Sequence, residues 1–77
     1  MKLNKAFGIV LKQLRVAKGL SQEALALEAD LDRTFVSQLE RGLKQPSLTT
    51  VFALAKVLGC RAAEMVAKVE LSLVRRK

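Results

Sequence analysis

The side chains best equipped for chemistry lie within one short stretch. In "DRTFVSQLERG", residues 32–42, Arg33, Thr34, Ser37, Gln38 and Arg41 can all hydrogen-bond. At about 100° per residue they share one side of a helix, while Phe35, Val36 and Leu39 share the other. A forked guanidinium, a carboxamide and two hydroxyls match the donors and acceptors on base edges. Arg33 fits guanine O6 and N7, Gln38 fits adenine, and Thr34 or Ser37 suits a base or a phosphate. A merely solvated amphipathic helix shows the same division of faces, so the surrounding elements must decide between the two.

Covalent and metal chemistry find little support. The chain has no His and a single Cys, Cys60, so it offers no zinc site, disulfide framework or imidazole base. Ser21, Ser37, Ser47 and Cys60 lack a partner base, and the carboxylates read as helix caps or ion-pair members. The sequence therefore predicts a non-enzymatic protein without cofactor or metal.

At 77 residues with a net charge of +7, this is one small domain, 1–77, that a partner subunit would help to stabilise. An anionic partner is indicated: nucleic acid, an anionic membrane or an acidic protein. Residues 1–20 carry five Lys/Arg and no acid, whereas Glu23, Glu28, Asp30 and Asp32 form one acidic block. No apolar run approaches the ~20 residues of a membrane span, and the first residues lack a signal peptide's apolar core and cleavage site. These features predict a cytoplasmic protein that does not enter the membrane.

Three Phe, no Trp or Tyr and one Pro favour helices filled by Leu, Ala and Val, hence an all-α fold. A first helix is predicted from about Asn4 to Lys18, with Leu3, Phe7, Val10, Leu11 and Leu14 inward and Gly19 ending it. Ser21 can cap a second helix and Asp32 a third, which runs to Glu40 or Arg41 before Gly42. Pro46 and Ser47 introduce a fourth, with Leu48, Val51, Phe52, Leu54, Ala55 and Leu58 inward and Gly59 at its end. A fifth covers about 62–75. Five helices this short must pack together to be stable.

Ala29, Asp30 and Leu31 alone separate the second and third helices, too few residues for antiparallel stacking but suited to a sharp helix-turn-helix over 22–41. Leu25, Ala26 and Ala29 would face Val36 and Leu39, with Ala26 small at the crossing. A helix presented after such a turn can enter a major groove.

On these residues the chain resembles the lambda-repressor/Cro-like, or XRE-type, helix-turn-helix family of bacterial regulators, from residue 7 to about 66. Gly-Leu-Ser-Gln-Glu enters the second helix, Glu-Arg-Gly follows the third, Pro-Ser-Leu precedes the fourth and Leu-Ala-Lys-x-Leu-Gly closes it. "LDRTFVSQLERG" is also similar to the recognition segment of restriction-modification controller proteins.

The resemblance implies a compact five-helix domain and roles for particular residues. Arg33, Thr34, Ser37 and Gln38 would read bases, with Phe35 either touching a thymine methyl or packing in the core. Gln22 would clamp a phosphate, and Arg41, Lys44 and Gln45 would supply further phosphate contacts that fix register. Arg15 and Glu40 match a partly buried ion pair between the first and third helices. Two positions depart from the pattern: Asp30 stands where relatives use Gly, and the fifth helix lacks their Ser cap near Arg61 or Ala63.

The fifth helix shows two apolar stripes. Of Ala62, Met65, Val66, Val69 and Leu73 on one side and Ala63, Ala67, Leu71 and Val74 on another, one stripe can close the core and the other needs a partner, read as the twofold-related copy in a homodimer, with Ala63, Ala67, Leu71 and Val74 as the interface candidates. A membrane-surface helix ending in Arg75, Arg76 and Lys77 is the weaker alternative. Two recognition helices then reach major grooves about one turn, ~34 Å, apart on an inverted repeat of double-stranded DNA. The implied function is a sequence-specific, homodimeric transcriptional regulator, repressor or activator; activation would add RNA polymerase as a partner. The same fold also serves as a protein-interaction module in antitoxins and bridging factors, which is the rival expectation.

Overall fold

Five helices follow one another: α1 (Lys2–Ala17), α2 (Gln22–Glu28), α3 (Arg33–Glu40), α4 (Leu48–Leu58) and α5 (Ala62–Arg75). The computed structural model describes residues 2–75, without the side chain of Arg75; the basic end at Arg76 and Lys77 lies outside the described residues, as does Met1. No strand occurs among them, in agreement with the all-α expectation. Helix α1 starts two residues earlier than predicted, because nothing before Asn4 breaks a helix, and ends at Ala17.

Side-chain caps set two of the helix starts. Ser21 Oγ accepts from the Ala24 N–H at 3.0 Å, and Ser47 Oγ from the Thr50 N–H at 3.1 Å, each satisfying a first-turn donor that has no intrahelical partner. Asp32 departs from expectation: it holds the extended cap position of α3, yet its side chain makes no capping bond. The residue is exposed, so water can serve both its carboxylate and the first-turn N–H groups. The missing Ser of α5 is replaced from inside the helix, where Glu64 Oε1 accepts from the Arg61 N–H at 2.8 Å, one half of a capping box.

Between α2 and α3 the chain reverses through Asp30, the one described non-glycine residue with positive φ, at 58°. The Leu31 N–H closes back on the Ala26 carbonyl at 2.8 Å. Asp tolerates this left-handed conformation better than most residues but at a cost that Gly avoids.

The core is formed chiefly by α1 against α5 and α3, with α2 on α3; Leu11, Leu25, Val36, Leu39, Leu54 and Met65 are fully buried. Leu25, Ala26, Ala29, Val36 and Leu39 all lie in it, which locks the helix-turn-helix. Leu3, Leu48, Phe52 and Val66, expected inward, are exposed. On α4, Leu48 and Phe52 sit at the margin of the stripe formed by Val51, Leu54, Ala55 and Leu58, which alone turns inward.

Helix α1 crosses the end of α3 at Gly8. A Cβ there would lie 2.5 Å from the Leu39 carbonyl oxygen and 2.6 Å from that of Glu40. Ala gains about 1 kcal/mol over Gly as a helix former, whereas forcing backbones apart costs more. Gly8→Ala is expected to destabilise the domain by a net ~1–3 kcal/mol, read as a lower midpoint in urea unfolding.

Candidate nucleic-acid interface

Helix α3 is held by its apolar side. With Val36 and Leu39 fully buried, rotation about its axis is blocked and the opposite side faces outward. Arg33 and Thr34 are exposed, and Ser37 and Gln38 half-buried. Phe35 packs against the core while remaining partly accessible, so packing accounts for its ring. Arg41, Lys44 and Gln45 follow on an exposed loop that turns through Gly42 at φ 76°. Gln22 begins α2 and is half-buried.

A polar network lies at the edge of this surface. Arg15 Nε donates to Glu40 Oε2 at 2.6 Å, with the two side chains only 12% and 3% exposed, and Arg15 Nη2 donates to Oε1 at 3.1 Å. The paired, two-bond geometry is the strong form of an Arg–carboxylate contact. It raises the guanidinium pKa above its ordinary value, outweighing the lowering effect of burial. Arg15 Nη1 also donates to the Leu20 carbonyl at 2.8 Å, tying the α1–α2 loop to the pair, and Gln22 Nε2 donates to Glu40 Oε1 at 3.0 Å.

Sequence reasoning missed two features. Gly8 could have been noticed as a helix-weakening residue inside an apolar stripe, the usual mark of a close backbone approach. The Gln22–Glu40 bond joins residues 18 apart in sequence, and no local pattern encodes it.

Elsewhere, Cys60 is half-buried; burial first and Glu64 second push its thiol pKa up. Ala63, Ala67, Leu71 and Val74 all lie on the exposed side of α5. No described helix is long and apolar enough to cross a membrane.

A family described as helix-turn-helix matches residues 11–65. The chain belongs to this family of DNA-binding transcriptional regulators. It is similar to Control protein C.BamHI of Bacillus amyloliquefaciens, 40% identical over 60 residues that cover 77% of this chain and 74% of that one. Among solved structures it is similar to the restriction-modification controller protein C.AhdI of Aeromonas hydrophila, with 44% identity and a TM-score of 0.78 over 80% of this chain and 94% of that one. The clp gene regulator ClgR of Corynebacterium glutamicum matches at 28% identity and a TM-score of 0.89, over 94% and 77% of the two chains.

The part-buried pair makes a sharp stability prediction for this helix-turn-helix regulator. Glu40→Ala leaves a part-buried Arg15 without its carboxylate partner and is expected to cost about 1–3 kcal/mol. Replacing both residues by Met is expected to be close to neutral. Chemical unfolding of the two variants beside the parent protein measures both.

Proposed function

We propose that this protein is a homodimeric controller-type regulator that recognises an inverted-repeat operator in double-stranded DNA, working in the cytoplasm. The observation that carries the reading is the presentation of α3: its apolar side is locked in the core and its hydrogen-bonding side faces outward, beside the exposed Arg41, Lys44 and Gln45. Arg33, Thr34, Ser37 and Gln38 read bases. Gln22, Arg41, Lys44 and Gln45 hold phosphates and fix the register. Likeness to C.BamHI and C.AhdI supports the controller assignment.

The second copy covers α5. Ala63, Ala67, Leu71 and Val74 form its outer stripe, with Leu71 57% and Val74 71% exposed, and Phe52, 59% exposed, adds a large apolar surface on α4. Isolated apolar residues on a surface are ordinary, but a helix-long stripe of them marks an interface. A twofold dimer presents two copies of α3 to an inverted repeat.

Selection of bound duplexes from a random pool tests the reading directly: an inverted repeat with half-site centres one helical turn apart supports it. Failure of the chain to shift any duplex over nonspecific competitor favours the protein-interaction alternative. On the selected operator, Arg33→Ala is expected to cost ~1–3 kcal/mol and relax preference at one base pair. Lys44→Ala is expected to weaken all sequences together and reduce the salt dependence by about one contact. Leu71→Asp is expected to give a folded monomer in sedimentation, with affinity for the full repeat reduced at least about a hundredfold while half-site binding persists.

A further inference from the structure

We propose that Glu40 is a positioning residue for DNA binding: it holds the Gln22 amide in the orientation that meets a phosphate. The proposal rests on the regulator reading above and assigns to the Arg15–Glu40 pair a task beyond joining α1 to α3.

The chemistry fixes which way Gln22 points. A carboxylate accepts hydrogen bonds and donates none, so the Gln22 group facing Glu40 Oε1 at 3.0 Å must be the NH2, and the amide oxygen must turn away. One of the two Nε2 hydrogens is then engaged. The other is not used by that bond and can donate to an anion.

Glu40 can perform this task because it is itself held. Its Oε2 accepts from Arg15 Nε at 2.6 Å and the side chain is 3% exposed, while Oε1 receives both Arg15 Nη2 at 3.1 Å and Gln22. The acceptor is therefore fixed from α1, and Gln22 is fixed from the acceptor. An ion pair serving only as a strut needs Arg15 alone; a half-buried Gln at the rim could otherwise spend its hydrogen bonds on water. Ordering a long, flexible Gln before binding removes a rotamer cost that the complex would otherwise meet. The arrangement also fixes the distance between a contact at the start of α2 and the base-reading face of α3, since Glu40 is the last residue of α3.

The test is a cycle of four proteins: the parent, Gln22→Ala, the double variant Arg15→Met with Glu40→Met, and the triple variant. Each is titrated against the selected inverted-repeat duplex at several salt concentrations. Gln22→Ala and the double variant are each expected to bind about tenfold more weakly, and the triple variant no more weakly than either. Because Gln22 is neutral and displaces no counterion, the salt slope should be the same in all four.

Parent-like affinity in the double variant, or an approximately hundredfold loss in the triple variant, overturns the proposal. So does a reduced salt slope in the double variant, which would make Arg15 a phosphate contact itself. A Gln22→Ala variant that binds like the parent removes the phosphate contact and the proposal together. Failure of the parent to bind any duplex is separate and overturns the regulator reading beneath them. A second measurement needs no substitution: the two Nε2 protons of Gln22 should be unequal in hydrogen exchange, one of them protected, and an amide exchanging freely at both overturns the proposal.

Discussion

The reading surface depends on the clamp that α1 places on the C-terminal end of α3. Helices of seven and eight residues are below the length that sustains a helix in water, so neither α2 nor α3 sets its own direction. Direction is imposed at two places. Beneath them Leu25, Val36 and Leu39 are fully buried, and at their open end Gly8 lets α1 approach the last carbonyls of α3 closely. Arg15 bonds Glu40 one and a half to two turns further along α1. The close approach at Gly8 fixes the position and tilt of α3 relative to the body, and the Arg15 bonds reinforce it.

This clamp explains how so small a core can present a precise face. A domain of this size buries a modest share of its surface, and much of its apolar area stays outside: Leu48, Phe52, Leu71 and Val74 are all exposed. Burial of Val36 and Leu39 determines which side of α3 turns inward; dispersion and burial are too weakly directional to set its tilt and register against α1. Tilt and register come chiefly from the backbone contact at Gly8, which the directional bonds of Arg15 reinforce. The apolar area left on α4 and α5 lies on elements other than α2 and α3, so a second copy can cover it without occupying the reading face.

The fold was legible where a single residue type has a single mechanical use. Ser21 and Ser47 cap their helices, glycines 19, 42 and 59 leave them at φ between 74° and 78°, and the inward side of α3 follows from Phe35, Val36 and Leu39. Asp30 shows the same logic under strain, because the turn requires a left-handed residue and the sequence supplies an imperfect one. What could not be read depends on distances between elements. Phe52 is apolar and at helical spacing, but its accessibility is decided by which neighbours α4 has. Asp32 has the right chemistry for a cap, but solvent competes for it. The Gln22–Glu40 bond exists only once three helices are assembled. The hydrogen-bonding face of α3 was legible as chemistry, while its outward presentation had to be seen in the structure.

Charge draws the protein to DNA, but charge by itself would hold it there in many orientations. With a net +7, nonspecific attraction to phosphates is available to any basic face. At a screening length of ~8 Å in physiological salt, each patch acts locally rather than through the total. The exposed acids Glu23, Glu28, Asp30 and Asp32 therefore matter, since they make α2 and the turn an unfavourable place for further phosphate contact. The proposed contacts fall instead on neutral donors such as Gln22 and on the basic loop after α3. A neutral donor contributes little at a distance and a great deal at hydrogen-bonding range, so it rewards the aligned complex over the merely adjacent one. On the proposed assignment, discrimination would arise because one rigid body fixes both the phosphate donors and the base-reading side chains: a wrong base under Arg33 would not be relieved by sliding without breaking the contacts that hold the register.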